Sequence, residues 1–236
     1  MMGLIKKIAG LGLLVAAILG AFYLNDLRQL SERNAYKDRL LSELSVTLNR
    51  ELGDISVIQE NLRGCLAAVD LLIADMADRR RSIEKRKIAE DYLLVSQKMY
   101  TSFFPQSGTY EQFLSSESME LVGSDKLRQV LLDTYTHLLN RNNALSRTLD
   151  DYYLRLTDSF GSYITVVPAE MKTHGFVYSN KKIKNFSVDD SFYRSRAHLS
   201  VLIETRNLIS NYLNLLDRFT ESYGQLIVHS KEEIAR

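Results

Sequence analysis

The chain is poor in everything that interrupts a helix or staples a small fold. Its 236 residues include two prolines, eleven glycines, no tryptophan and one cysteine. So few breakers predict long helices. A lone Cys65 excludes an internal disulfide framework and cannot by itself hold a structural zinc ion. On an apolar stripe such a residue is read as buried, the alternatives being a reactive thiol or a cross-link between two copies. Charge is balanced as well: thirty Lys and Arg against twenty-nine Asp and Glu leave a net +1. That gives no global pull toward nucleic acid or acidic surfaces.

Catalytic signatures are also missing. No Walker loop, G-x-S-x-G or G-x-G-x-x-G occurs. His137, His174, His198 and His229 lie far apart and are read as lacking the acidic or histidine neighbour one turn away that a helical metal site needs. Asp150-Asp151, Asp189-Asp190 and Glu232-Glu233 are adjacent acids, which do not face one another on a helix and suit helix ends. The expectation is a protein that is no enzyme and carries no metal or cofactor.

What the chain does have is one apolar run. Ile8 to Leu24, which includes Leu13, Val15, Ile18, Leu19 and Phe22, is uncharged and directly follows Lys6 and Lys7. As a helix it spans about 26 Å, the short end of what crosses a bilayer. A cleaved secretory signal is the rival reading, but the run is longer than such cores and offers only a poor small-residue site at Leu19 and Ala21. Orientation is set by two opposed features. Arg28, Arg33, Lys37 and Arg39 follow the run and outnumber the preceding lysines, yet they are interleaved with Asp26, Glu32 and Asp38. A first apolar segment behind a tiny basic tail inserts with its N-terminus inside. The expected organisation is a cytoplasmic tail over 1–7, a transmembrane anchor over 8–24 and a helical extracytoplasmic domain over 25–236. The location implied is the bacterial inner membrane, with the C-terminal domain in the periplasm.

From Leu27 the apolar residues fall on a heptad. One register reads Leu27, Asn34, Leu41, Leu48, Ile55, Leu62, Val69, Met76; the other reads Leu30, Lys37, Leu44, Glu51, Ile58, Cys65, Leu72. Only Asn34, Lys37 and Glu51 are polar, so a helix is predicted from the membrane to about Arg80. Leu40, Leu52, Leu66 and Ile73 widen the stripe beyond a two-stranded coiled coil and favour a bundle. Asn34 is of the kind that sets register in a parallel dimer, or else is a solvated residue near the membrane. Arg79, Arg80 and Arg81, with Lys85, Arg86 and Lys87, form a basic cluster about 80 Å from the anchor. It reads as a solvated turn or as a contact for an anionic partner; without interleaved aromatics, nucleic acid is not expected.

A second helix is predicted over about 88–103, ended by Pro105 and Gly108. Thr109 with Gln112 reads as a capping box for a short helix over 110–116, and Ser124 as the cap of a third long helix over about 125–159. Residues 161–189 form the one irregular segment. The β-rich stretches Tyr163 to Val167 and Phe176 to Tyr178 make it a long loop or small hairpin and a candidate recognition surface. Lys181, Lys182 and Lys184 read as solvated charge. The last helix is predicted from Asp189 or Asp190 to about Glu233. The whole is an all-α fold, an anchor continuing into an elongated antiparallel bundle of about four long helices.

The stretches Ile18-Leu19-Gly20-Ala21-Phe22-Tyr23-Leu24-Asn25, Phe103-Phe104-Pro105 through Gly108-Thr109-Tyr110, Leu114-Ser115-Ser116 with Leu121, Lys126-Leu127-Arg128, and Asp190 with Phe192 stand out together. They resemble a family of bacterial single-pass membrane proteins with an N-terminal anchor and a helical extracytoplasmic domain of unknown function. The resemblance implies the same architecture and outer-side placement and supplies no catalytic residue. The function expected is a membrane-anchored scaffold that binds a protein partner or self-associates. The alternative is a ligand-sensing bundle acting through a separate membrane partner, which a pocket lined by Tyr152, Tyr153 or Tyr163 would favour.

Overall fold

A computed structural model describes residues 2–78, 83–99, 101–161, 164–169 and 182–236, with side chains from Gly12 onward except at 13, 15, 158–161, 164–169 and 182. The fold is helical, organised on two long helices. The first, α1, runs unbroken over Met2–Ala77, and the last, α7, over Arg196–Ile234. They lie antiparallel. Lys37 meets Glu233, Glu51 meets Tyr223, Gln59 meets Asp217, Asp70 meets Arg206 and Asp75 meets Tyr193, in reverse order along the two segments. The heptad explains why: Leu41, Leu44, Leu48, Leu62, Cys65, Val69 and Leu72 are all fully buried against this partner and its neighbours.

A third layer consists of α4 (Asp125–Leu132), a π-helical turn (Asp133–Leu138) and α5 (Leu139–Gly161), antiparallel to α7. Thr134 bonds Ser222, Asn142 bonds Tyr212, and Tyr152 bonds Thr205 and the Val201 carbonyl. The sequence pattern predicts one continuous helix here. The π turn departs from it where the Thr134 and Thr136 hydroxyls donate to the carbonyls of Val130 and Leu132, four residues back.

The fourth position in the bundle is shared. At the end far from the N-terminus it is filled by α2 (Lys85–Lys98), and nearer the N-terminus by an irregular connection, α3 (Gly108–Ser115) and a 3-10 turn (Ser118–Leu121). The second helix is therefore shorter than its predicted end at 103. Residues 101–107 leave it because side chains from other helices hold their backbone instead. The Thr109 capping box is also corrected: α3 starts two residues earlier, after Ser107, whose hydroxyl bonds Glu111 at 2.6 Å. Ser124 caps α4 as expected, accepting the Leu127 N–H.

The irregular segment contains an antiparallel hairpin, β1 (Ile164–Ala169) with β2 (Lys182–Val188). Lys182 and Lys184 lie on strand β2, and Lys184 is exposed, as the reading of solvated charge expects. Val167 pairs with Asn185 and Pro168 with Ile183, so Lys184 is left over as a bulge beside a proline that lacks an N–H. Phe186 and Val188 seat the hairpin on the core. The final helix is split as well: α6 (Asp190–Tyr193) is capped by Asp189, and Ser195 caps α7 through the His198 N–H.

Candidate functional site

Three connections between helices are each held by a buried carboxylate from α1 or α7. Glu51, 2% exposed, accepts the Gln106 N–H at 2.7 Å and the Tyr223 hydroxyl at 2.7 Å. Asp75, 1% exposed, accepts the Ile83 N–H at 2.9 Å, the Tyr193 hydroxyl at 2.9 Å and Arg194 at 3.0 Å. Glu233, 4% exposed, accepts the Gly123 and Ser124 N–H groups at 2.6 and 3.1 Å, with Lys37 at 3.4 Å and Arg236 at 3.3 Å. In each case one side chain satisfies loop amides that no helix or strand can satisfy.

The electrostatics differ among them. Burial raises the Glu51 carboxyl above its ordinary range, against the opposing bonds from Tyr223 and Gln106. Burial also pushes Glu233 upward, but the Gly123 amide and Lys37 outweigh it and the carboxyl sits below its usual value. Lys37 and Glu51 are two of the three polar interruptions in the heptad, which was the sequence signal for this arrangement. Sequence reasoning left it unused because the partners lie 196 and 172 residues away.

Residues 101–107, part of the stretch that carried the family resemblance, are fixed from two further sides. The Tyr212 hydroxyl accepts the Phe103 N–H at 2.7 Å and Asn142 donates to the Phe103 carbonyl at 2.8 Å. The Phe103 ring packs edge-on against Phe219 and Tyr223.

The chain matches no family model, and comparison with the curated proteins and with the solved structures finds no match either.

At the far end of the bundle, a buried aromatic cluster surrounds His198, itself fully buried. Its Nδ1 bonds the Tyr193 carbonyl at 2.7 Å, its Nε2 bonds the Tyr92 hydroxyl, and Phe192 stacks on the ring with centroids 5.0 Å apart. The carbonyl can only accept, so Nδ1 carries the hydrogen and Nε2 accepts from Tyr92. Burial lowers the imidazole pKa below 6.5, the Tyr193 carbonyl opposing it. Asp91, also buried and paired with Lys87 at 2.5 Å, is pushed up by the same desolvation. These groups resemble a relay in type, but the neutral, enclosed histidine is a packing element.

The expected interaction residues are dispersed. Asn34 is half-buried where α1 enters the bundle. Arg79, Arg80, Arg81, Tyr163, Phe176 and Tyr178 lie outside the described residues. Of the predicted anchor, Ile8, Leu13 and Val15 lie outside the described side chains, whereas Ile18, Leu19, Phe22 and Leu24 are exposed, Leu24 to 67%. Among the described residues no helix is long and apolar enough to cross a membrane, and no group of His, Cys, Asp and Glu is arranged to hold a metal. One histidine expectation is corrected: His229 has an acid one turn on, and its Nδ1 lies 3.0 Å from Glu232. The Tyr152 hydroxyl bonds Thr205 and the Val201 carbonyl, and the Tyr153 hydroxyl bonds the Ser96 carbonyl. A groove that neither tyrosine lines opens between α5 and α7.

Proposed function

We propose that the protein is a membrane-anchored helical scaffold, or protein-interaction module, of the bacterial inner membrane, and acts without catalysis. The supporting observation is the change of character along α1. From Leu40 its apolar stripe is core, while Leu14, Ile18, Leu19, Phe22, Tyr23, Leu24, Leu27 and Leu30 on the same unbroken helix are exposed and stand apart from the core of the described residues. Exposed apolar side chains in such a row call for a cover. Through Leu24 the uncharged run of the sequence favours lipid; beyond it, at Leu27, Leu30 and Asn34, a protein partner or a second copy fits the heptad. The resemblance noted in the sequence agrees with this reading but adds no activity.

The non-catalytic part rests on where the titratable side chains are spent. Glu51, Asp75 and Glu233 hold loop amides, and His198 is enclosed by three aromatic rings. None faces a cleft. The second reading, a ligand-sensing bundle acting through a separate membrane partner, draws support only from the groove between α5 and α7.

A fusion of a phosphatase active only in the periplasm after Arg236 tests the placement. Activity in intact bacteria, with the fusion in the membrane fraction, is expected. A well-expressed but inactive fusion would overturn the outer-side placement, and a soluble one the anchor.

A further inference from the structure

The groove between α5 and α7 has a volume of about 480 Å³ and is lined by Arg141, Leu145, Thr148, Asn211, Asn214 and Arg218, among others. We infer that it binds a small organic anion, a carboxylate or phosphate monoester with a short apolar body, clamped at its charged end by Arg141 and Arg218.

The register of the two helices places the parts. Asn142 pairs with Tyr212, and Thr134 with Ser222, so Arg141 on α5 lies opposite the turn of α7 that contains Asn214 and Arg218. Thr148 and Asn211 lie farther along, Thr148 about 10 Å from Arg141 by helical rise. The groove is thus cationic at one end and hydroxyl- and amide-lined at the other, with Leu145 and Leu215 contributing apolar surface between them.

Its charge is one-sided. No carboxylate lines it, although acids and bases are almost equal in number over the whole chain. Several exposed arginines elsewhere are neutralised, Arg63 by Asp217, Arg86 by Glu90 and Arg206 by Asp70. Among the described residues Arg141 and Arg218 have no such partner. Two guanidinium groups on facing helices present forked donors suited to carboxylate or phosphate oxygens. The volume falls in the range of small-molecule sites and is too small for a folded partner. The buried Tyr212 hydroxyl accepts from Ser146 and donates to Asn142, tying α7 to α5, so the groove is held open before any ligand arrives.

The test is the thermal melting of the full chain in neutral detergent, followed by circular dichroism at constant ionic strength, with butyl phosphate, butyrate and butyltrimethylammonium as probes. The anionic probes are expected to raise Tm saturably by about 2–5 °C, and the cation not to. Arg141→Gln and Arg218→Gln should each raise the half-saturating concentration at least about tenfold. All of these positions are exposed, so the variants fold. Arg147→Gln, exposed on the same helix but outside the groove, should behave as wild type. No shift with either anion would overturn the inference. So would a shift shared by the cation, or one that survives both substitutions.

Discussion

Glu51 and Tyr223 join the two long helices in the middle of the bundle. The Tyr223 hydroxyl donates to one carboxylate oxygen at 2.7 Å, while the other oxygen accepts the Gln106 N–H at the same distance. One acid therefore registers α1 against α7 and holds the 101–107 connection in place. Its removal leaves a buried hydroxyl and a part-buried amide without partners, a loss larger than that of one exposed bond.

Glu51→Ala is accordingly expected to lower unfolding stability by about 2–4 kcal/mol, and Tyr223→Phe by about 1–3 kcal/mol. The double variant should lose less than the sum, since both single changes break the same bond. Urea titration followed by far-ultraviolet circular dichroism measures all three. Strict additivity would show that the pair does not act as a unit.

The His198 imidazole predicts a pH dependence with a definite sign. Burial holds its folded pKa below 6.5, so the unfolded chain binds the proton more readily. Its contribution to stability is fully present above about pH 6.5 and is lost as pH falls from there toward the folded value. Protonation would also deprive the Tyr92 hydroxyl of its acceptor. His198→Gln should flatten the stability profile in that window while lowering its plateau, as read from urea midpoints at stepped pH. An unchanged slope would mean that the histidine does not titrate with unfolding.

Cys65 is fully buried and its Sγ lies 3.9 Å from the Leu94 carbonyl. Burial pushes the thiol up to about 12 from 9.0, which leaves about a thousandfold less thiolate near neutral pH. Iodoacetamide should fail to modify the native chain and should react once it is denatured. Mass spectrometry of the alkylated chain reads the difference, and rapid native labelling would contradict the packing of α1 against α2.

Much of the fold was legible in local pattern. The heptad on α1 marks residues that are buried, and Ser124 caps the helix that follows it. Legibility failed where the deciding partner was distant or the period shifted. Lys37 and Glu51 stand out in the sequence as polar residues at core positions, but nothing local reveals that Glu233, Tyr223 and Gln106 meet them. Strand β2 escaped because the bulge at Lys184 moves Ile183 out of phase with Phe186 and Val188. The arginine groove escaped for the same reason as the ties: Arg141 and Arg218 are ordinary surface residues until α5 and α7 are set side by side.

The first stretch of α1 and the bundle should separate cleanly. Exposed apolar residues run through Leu30, and the core begins with Leu40 and Leu41. The bonds that fix α1 to α7 start at Lys37 with Glu233. Deleting residues 1–25 removes none of these contacts, so the shortened chain is expected to leave the membrane fraction and to keep its melting temperature within about 2 °C, a shift that for a domain of this size corresponds to less than about 1 kcal/mol. Light scattering on the soluble product then addresses the stem. A monomer would place any self-association in the deleted segment, whereas a defined dimer would assign it to Leu27, Leu30 and Asn34, and Asn34→Ala should then alter the oligomeric state. A large loss of melting temperature would show that the apolar segment belongs to the folded core, and the anchor reading would fall.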